Sequence, residues 1–137
     1  MKLDLTNTLY KRYPILYREH SMTLEQSSMP WGFRCGDGWY RQINSLSQDL
    51  ERILKKEPEE KRSACSGVTQ INGNLRFEMR GQTTPEIDRL IDRFKEKCMH
   101  TCEECGYVPA HMRLFKDGQQ VLCNRHARER ERSLVTS

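Results

Sequence analysis

Four residues near the C-terminal end have the types and the spacing of a metal site. Cys102 and Cys105 are separated by two residues, with Gly106 directly after the second, and Cys123 and His126 repeat the same gap. A Cys-x-x-Cys knuckle curls the backbone so that both thiolates face one ion. Between the pairs, "RLFKDGQQVLC" reads as two short strands about a tight turn at Asp117-Gly118, and a hairpin of that length brings its ends together. The two half-sites then meet as a tetrahedral Cys3His site for zinc, with sulfurs about 2.3 Å from the metal.

The segment after His126, "ARERERSL", reads as helix. A knuckle, a hairpin and a second ligand pair at a helix start resemble a treble-clef zinc finger; without the helix, a zinc ribbon describes the module better. A disulfide framework needs an oxidising compartment, and a thioredoxin-like pair follows a strand, whereas this pair follows a helix. His100 and His111 are alternatives to His126 that lie outside the paired spacing. Cys98 falls on the apolar stripe of its helix, as a small buried side chain does, and Cys65 has no partner motif. Four protein ligands leave no coordination position for water, so the metal is expected to hold the chain rather than to react. Some treble clefs are His-Asn-His nucleases with a catalytic histidine in the hairpin. Here the hairpin arms offer Arg113, Lys116 and Gln119 instead, and His111 before them has no adjacent Asp.

The elements that must carry this site fit one modest domain. At 137 residues, with 36% hydrophobic and 31% charged side chains, the interior is thin, and such domains often need a metal or an oligomer as a staple. No apolar run approaches a membrane span of roughly 18 residues, and the start "MKLDLTNTLYKRYP" lacks the apolar region of a secretory signal. The expected location is therefore a reducing cytoplasm. The net charge of +4 is uneven: from Gly106 onward six Lys/Arg face three Asp/Glu. In "RHARERERS" Arg alternates with Glu, which makes a poor polycation and reads as a solvated helix face.

Leu5, Leu9 and Tyr13 mark a first amphipathic helix stopped by Pro14. Residues 18–38 show no period and are expected to form a long ordered loop. In "GDGWYRQINSLSQDLERILKKEP" a helical stripe runs through Trp39, Ile43, Leu46, Leu50, Ile53 and Leu54, with Asp37 as the expected cap and Pro58 past the end. Val68 and Ile71 precede Asn72-Gly73, and Leu75, Phe77 and Met79 alternate after it, the pattern of a hairpin. A last core helix carries Ile87, Leu90, Ile91, Phe94 and Cys98. Either Thr83 caps it with Glu86 closing a capping box, or Thr84 does with Pro85 at the first position.

"MPWGFRCGDGWY", residues 29–40, makes no regular element. Its glycines permit positive φ and tight turns. In a thin domain Trp31, Phe33 and Trp39 are expected to plug the space between the long helix and the hairpin. The functional alternative exposes Trp31 and Arg34 as contact anchors. Cys35 has no His close in sequence to activate it.

"RYPILYRE", "WGFRCGDGWY", "GNLRFEMRG" and "CEECG…LCNRH", in this order, resemble a family of small, largely uncharacterised bacteriophage and prophage proteins with a WGF-x-CG-x-GW loop. The resemblance covers most of the chain. It carries over Trp31, Gly32, Phe33, Cys35, Gly36, Gly38 and Trp39 to the loop, and Cys102, Cys105, Cys123 and His126 to a C-terminal zinc-type cluster. It implies a phage-encoded protein acting in the cytoplasm of a bacterial host. The chain departs from the pattern at Ser28-Met29-Pro30, where a cysteine-containing segment is expected.

These readings combine into an α+β domain. Residues 1–100 form a helix, aromatic-loop and hairpin core, and residues 101–137 a treble-clef or zinc-ribbon-like module. The function expected is that of a non-enzymatic, zinc-stabilised protein that binds a host or anti-phage defence protein, with Trp31, Arg34, Arg113 and Lys116 as its contact surface. A nucleic-acid-binding zinc protein using Arg113, Lys116, Arg125 and Arg128 is the alternative, and a His-Asn-His-type nuclease the second.

Overall fold

A computed structural model describes residues 1–136 as a single small α+β domain of four α-helices and two small sheets. Helix α1 (Leu3–Arg12) ends where Pro14 cannot continue it, and short 3-10 turns carry the chain to strand β1 (Phe33–Arg34). Helix α2 (Tyr40–Lys56) leads to β2 (Ala64–Ile71), which turns at Asn72-Gly73 into β3 (Asn74–Arg80). Helix α3 (Pro85–Cys98), the hairpin β4 (His111–Phe115) and β5 (Gly118–Leu122), and helix α4 (Asn124–Thr136) complete the chain.

The first sheet has the order β1-β2-β3. The β2–β3 hairpin forms at the expected dipeptide, with φ of 52° at Asn72 and 83° at Gly73. Thr84, not Thr83, caps α3: its hydroxyl accepts the Ile87 N–H at 3.3 Å, and Pro85 fills the first helical position.

Three expectations are corrected. Residues 18–38 are not loop throughout, because Phe33-Arg34 pairs parallel with Val68-Thr69 and makes β1–α2–β2 a small crossover unit. Asp37 does not cap α2. Its carboxylate instead accepts the backbone N–H of Lys2 at 2.8 Å, and Trp39 holds the cap position. The β4–β5 turn is centred on Lys116-Asp117, one residue earlier than expected, since Phe115 pairs with Gly118.

The core forms where α2 and α3 cover the inner face of this sheet. Trp39 at the cap of α2 and Ile43, Leu46, Leu50 and Leu54 within it meet Ile87, Ile91 and Phe94 of α3 and Phe33, Val68, Leu75 and Phe77 of the strands in one buried cluster. Phe77 and Phe94 meet edge to face at 5.9 Å between ring centroids. The same cluster takes in Cys102, Ala110, Val121, Leu122, Cys123 and Ala127, so the C-terminal module shares the core.

Two polar residues on the buried stripe of α2 are also used. Ser47 hydrogen-bonds the Tyr17 hydroxyl at 2.5 Å. Glu51, only 4% exposed, accepts the backbone N–H groups of Ile15 at 3.2 Å and Leu16 at 2.8 Å. The segment after Pro14 has no helical partners for those donors, so the carboxylate takes the place of the missing turn. Glu51→Ala leaves both unpaired and is expected to destabilise the domain by about 2–4 kcal/mol, while Glu51→Gln loses roughly half of that. Urea unfolding of the three proteins is the check; an Ala variant as stable as the parent would show that the bonds are not made.

Candidate metal centre

The ligand pairs are set by the ends of regular elements. After α3 the chain makes one more turn, with Thr101 N–H on the Cys98 carbonyl, and delivers Cys102. The knuckle closes by Gly106 N–H to Cys102 O at 2.8 Å and Cys102 N–H to Tyr107 O at 2.9 Å. Gly106 has a φ of 79°, the left-handed conformation the tight return needs. Cys123 follows β5 directly and opens α4, its carbonyl accepting the Ala127 N–H at 2.9 Å, so His126 lies in the first helical turn. Knuckle, hairpin and helix thus occur in treble-clef order.

The four ligand atoms of Cys102, Cys105, Cys123 and His126 lie within 4.8 Å of one another. Ligand arms of zinc length predict tetrahedral edges of about 3.8 Å between sulfurs and about 3.5 Å from sulfur to nitrogen. Cys105 Sγ is 3.9 Å from Cys123 Sγ, and His126 Nδ1 is 3.7 Å from Cys102 Sγ and 3.3 Å from Cys123 Sγ. The group therefore fits a closed four-coordinate ion, and three sulfurs with one imidazole suit zinc or another thiophilic metal. The outer imidazole nitrogen faces the Glu129 carboxylate at 3.9 Å, one helical turn on, where an acidic neighbour steadies a ligating ring.

The thiols are tuned unequally. Burial opposes ionisation of Cys123, but the His126 backbone N–H and imidazole, followed by the neighbouring sulfurs, hold its thiol down at about 6. Desolvation and the crowding sulfurs of Cys102 and Cys123 push Cys105 up to about 11. A cation relieves that crowding, which couples metal capture to deprotonation.

His100 and His111 stay outside the cluster. His100 pairs with Glu96 at 3.2 Å, and His111 is exposed on β4. Cys35, Cys65 and Cys98 are buried and unbridged. Burial, then the nearby Glu103 carboxylate, pushes the Cys35 thiol up to about 12, and burial raises Cys65 and Cys98 further. Burial thus disfavours the thiolate form of all three. Within Ser28-Met29-Pro30, Met29 is fully buried.

The aromatic-glycine loop is the seat of the knuckle, a role its sequence does not announce. Gly38 N–H donates to Glu103 O at 2.7 Å, Gly36 N–H to the Glu103 carboxylate at 2.8 Å, and the Trp39 indole to Thr101 O at 2.8 Å. The far carboxylate oxygen of Glu103 accepts the Gln70 amide at 3.0 Å. Gly36 has a φ of −75°, which any residue adopts, so it is needed for closeness rather than for a special turn. A Cβ at Gly38 would run into the carbonyl oxygens of Cys102 and Glu103. Glu103 and Gln70 were not among the expected site residues, and nothing in the spacing distinguishes the buried Glu103 from the exposed Glu104.

The expected contact residues separate. Phe33 and Trp39 are buried as plugs, whereas Trp31 is 56% exposed, with the Arg34 guanidinium 4.7 Å from its ring centroid. Arg113 is turned inward, donating to Asn124 Oδ1 at 2.6 Å and Leu122 O at 3.4 Å, so it braces the module instead of standing free. Lys116 is exposed at the hairpin turn.

Gly38→Ala forces backbone apart in the knuckle and is expected to cost about 1–3 kcal/mol and to speed the transfer of metal to a chelator. Chelator competition beside the parent reads this out; an unchanged rate would mean the loop does not press on the knuckle. Set against protein-family models, curated proteins and solved structures, the chain matches none.

Proposed function

We propose that the chain is a zinc-stabilised, non-enzymatic binding protein in which the metal holds the C-terminal module against the aromatic loop. The observation that carries this reading is the closure of the cluster. Three sulfurs and one imidazole nitrogen lie at tetrahedral spacing, and both flanks of the knuckle are tied by hydrogen bonds into the core. A filled tetrahedron leaves water no place on the ion, and a general base beside it would have nothing to activate. By the resemblance of its loop and cluster motifs, the protein is encoded by a phage or prophage and acts on a host or defence protein in the bacterial cytoplasm.

The nucleic-acid reading loses support from the placement of the basic side chains. Arg113 is positioned by the neutral amide of Asn124 at 2.6 Å, Arg125 lies beside Glu129 at 3.2 Å on the surface, and Arg130 pairs with Asp117 at 2.7 Å with its guanidinium 4.2 Å from the Phe115 ring centroid. Of these only Arg130 has its charge offset by a short ion pair, and along α4 the alternation of Arg with Glu weakens the remaining field at short range.

The purified protein is expected to carry about one zinc per chain. Cys105→Ser should lose the metal and broaden NMR signals from residues 101–130, while Cys35→Ser keeps the parent's zinc content. Zinc stoichiometry and thermal melting of the two variants and the parent form the decisive comparison. If Cys105→Ser melts like the parent and an enzymatic activity disappears instead, the metal is catalytic and the binding reading fails.

A separate titration tests the alternative. DNA or RNA is expected to bind weakly at physiological salt. Low-micromolar affinity that vanishes when Arg128, Arg130 and Arg132 are neutralised would replace protein binding with nucleic-acid binding.

A further inference from the structure

The solvent face of the three-stranded sheet carries a row of side chains that the core does not use. Strand pairing aligns Phe33, Val68 and Phe77 in one cross-strand row, and all three are buried. The next row is Arg34, Thr69 and Arg76, which the pleat turns to the opposite face. Both arginines are exposed and Thr69 is half-buried between them. Two strand spacings separate the arginine backbones, about 9–10 Å. The row ends at Trp31, whose exposed ring lies under the Arg34 guanidinium.

The charges on this row are nearly unspent. Among the described residues no carboxylate pairs with Arg34, whose one partner is the Trp31 ring. Arg76 meets only Glu78, at 3.9 Å with both side chains more than half exposed, a contact worth little in water. Arg80, the next cation along β3, is committed to the buried Glu19 at 2.9 Å and to Gln26 O. The free positive charge therefore stops at two guanidinium groups.

We propose that this row is a docking surface for a protein segment that presents a carboxylate to Arg34 and Arg76 across Thr69 and an apolar side chain to Trp31. The proposal rests on the reading of the chain as a binding protein and gives that partner its chemistry. Two forks separated by a hydroxyl match an acidic side chain, because guanidinium groups hold carboxylates through paired N–H bonds. An exposed Trp beside an Arg supplies the residue types that dominate interface energetics. A nucleic-acid strand needs cations along several successive phosphates, whereas here two cations are followed by Glu78.

A random peptide library is selected on the zinc-loaded protein, and a winning peptide is titrated into isotope-labelled protein alongside oligothymidylate. Winners are expected to carry Asp or Glu beside an aromatic or aliphatic residue and to shift the Trp31 indole and the Thr69 and Arg76 amide signals. Arg34→Gln, Arg76→Gln and Trp31→Ala are each expected to weaken the peptide about tenfold at unchanged zinc content. Replacing the peptide's acids by amides should do the same. Neutral or basic winners, winners that shift other signals, or oligothymidylate binding this row more tightly than the peptide overturn the surface. Winners that map elsewhere discard the row while leaving a binding protein in place. A library that enriches nothing on any face removes both.

Discussion

The carboxylate of Glu103 accepts hydrogen bonds from Gly36 and Gln70 while its own backbone N–H and C=O reach Val121 and Gly38. One buried residue thereby ties the aromatic loop, the central strand, the metal knuckle and the second hairpin. A buried carboxylate is tolerable only when its lone pairs are filled, so every partner must be in place for any of them to be favourable. The glycines at 36 and 38 exist for this junction, since side chains there would hold the knuckle's backbone away. The Cys3His cluster that could hold a metal lies on the same knuckle, so the candidate site and the core share backbone.

Local chemistry made much of this architecture legible. The paired spacings pointed to the four clustered side chains because a knuckle and a helix turn each bring residues three apart to one place. Asn72-Gly73 named its hairpin because both positions require positive φ. Thr83-Thr84-Pro85 marked a helix start through two alternative caps, of which the fold uses Thr84. These signals span a few residues and need no knowledge of the rest of the fold.

The features that were missed depend on distant partners. Strand β1 is two residues long, too short for any period, and exists because Val68-Thr69 offers it an edge. Asp37 looked like a cap because Asp before a helix usually is one, but Lys2 brings a competing donor. Trp31 and Trp39, eight residues apart in one loop, separate into an exposed and a fully buried ring according to which side of β1 they follow. Ser47 and Glu51 are polar and fall outside the expected stripe of α2, yet burial with satisfied hydrogen bonds makes them part of the interior.

The junction at Glu103 also orders events on the ribosome. Gly36 meets its partner 67 residues later, so the loop leaves the exit tunnel long before its seat has been synthesised. Until then Trp39 has no acceptor for its indole, although α3 and the first hairpin, already made, supply the native cover of the α2 stripe. The last ligand, His126, arrives only in the first turn of the final helix. The Cys3His cluster is therefore complete only once residue 126 has been made, and a nascent chain arrested before Thr101 and Glu103 would carry its aromatic loop without the groups that seat it.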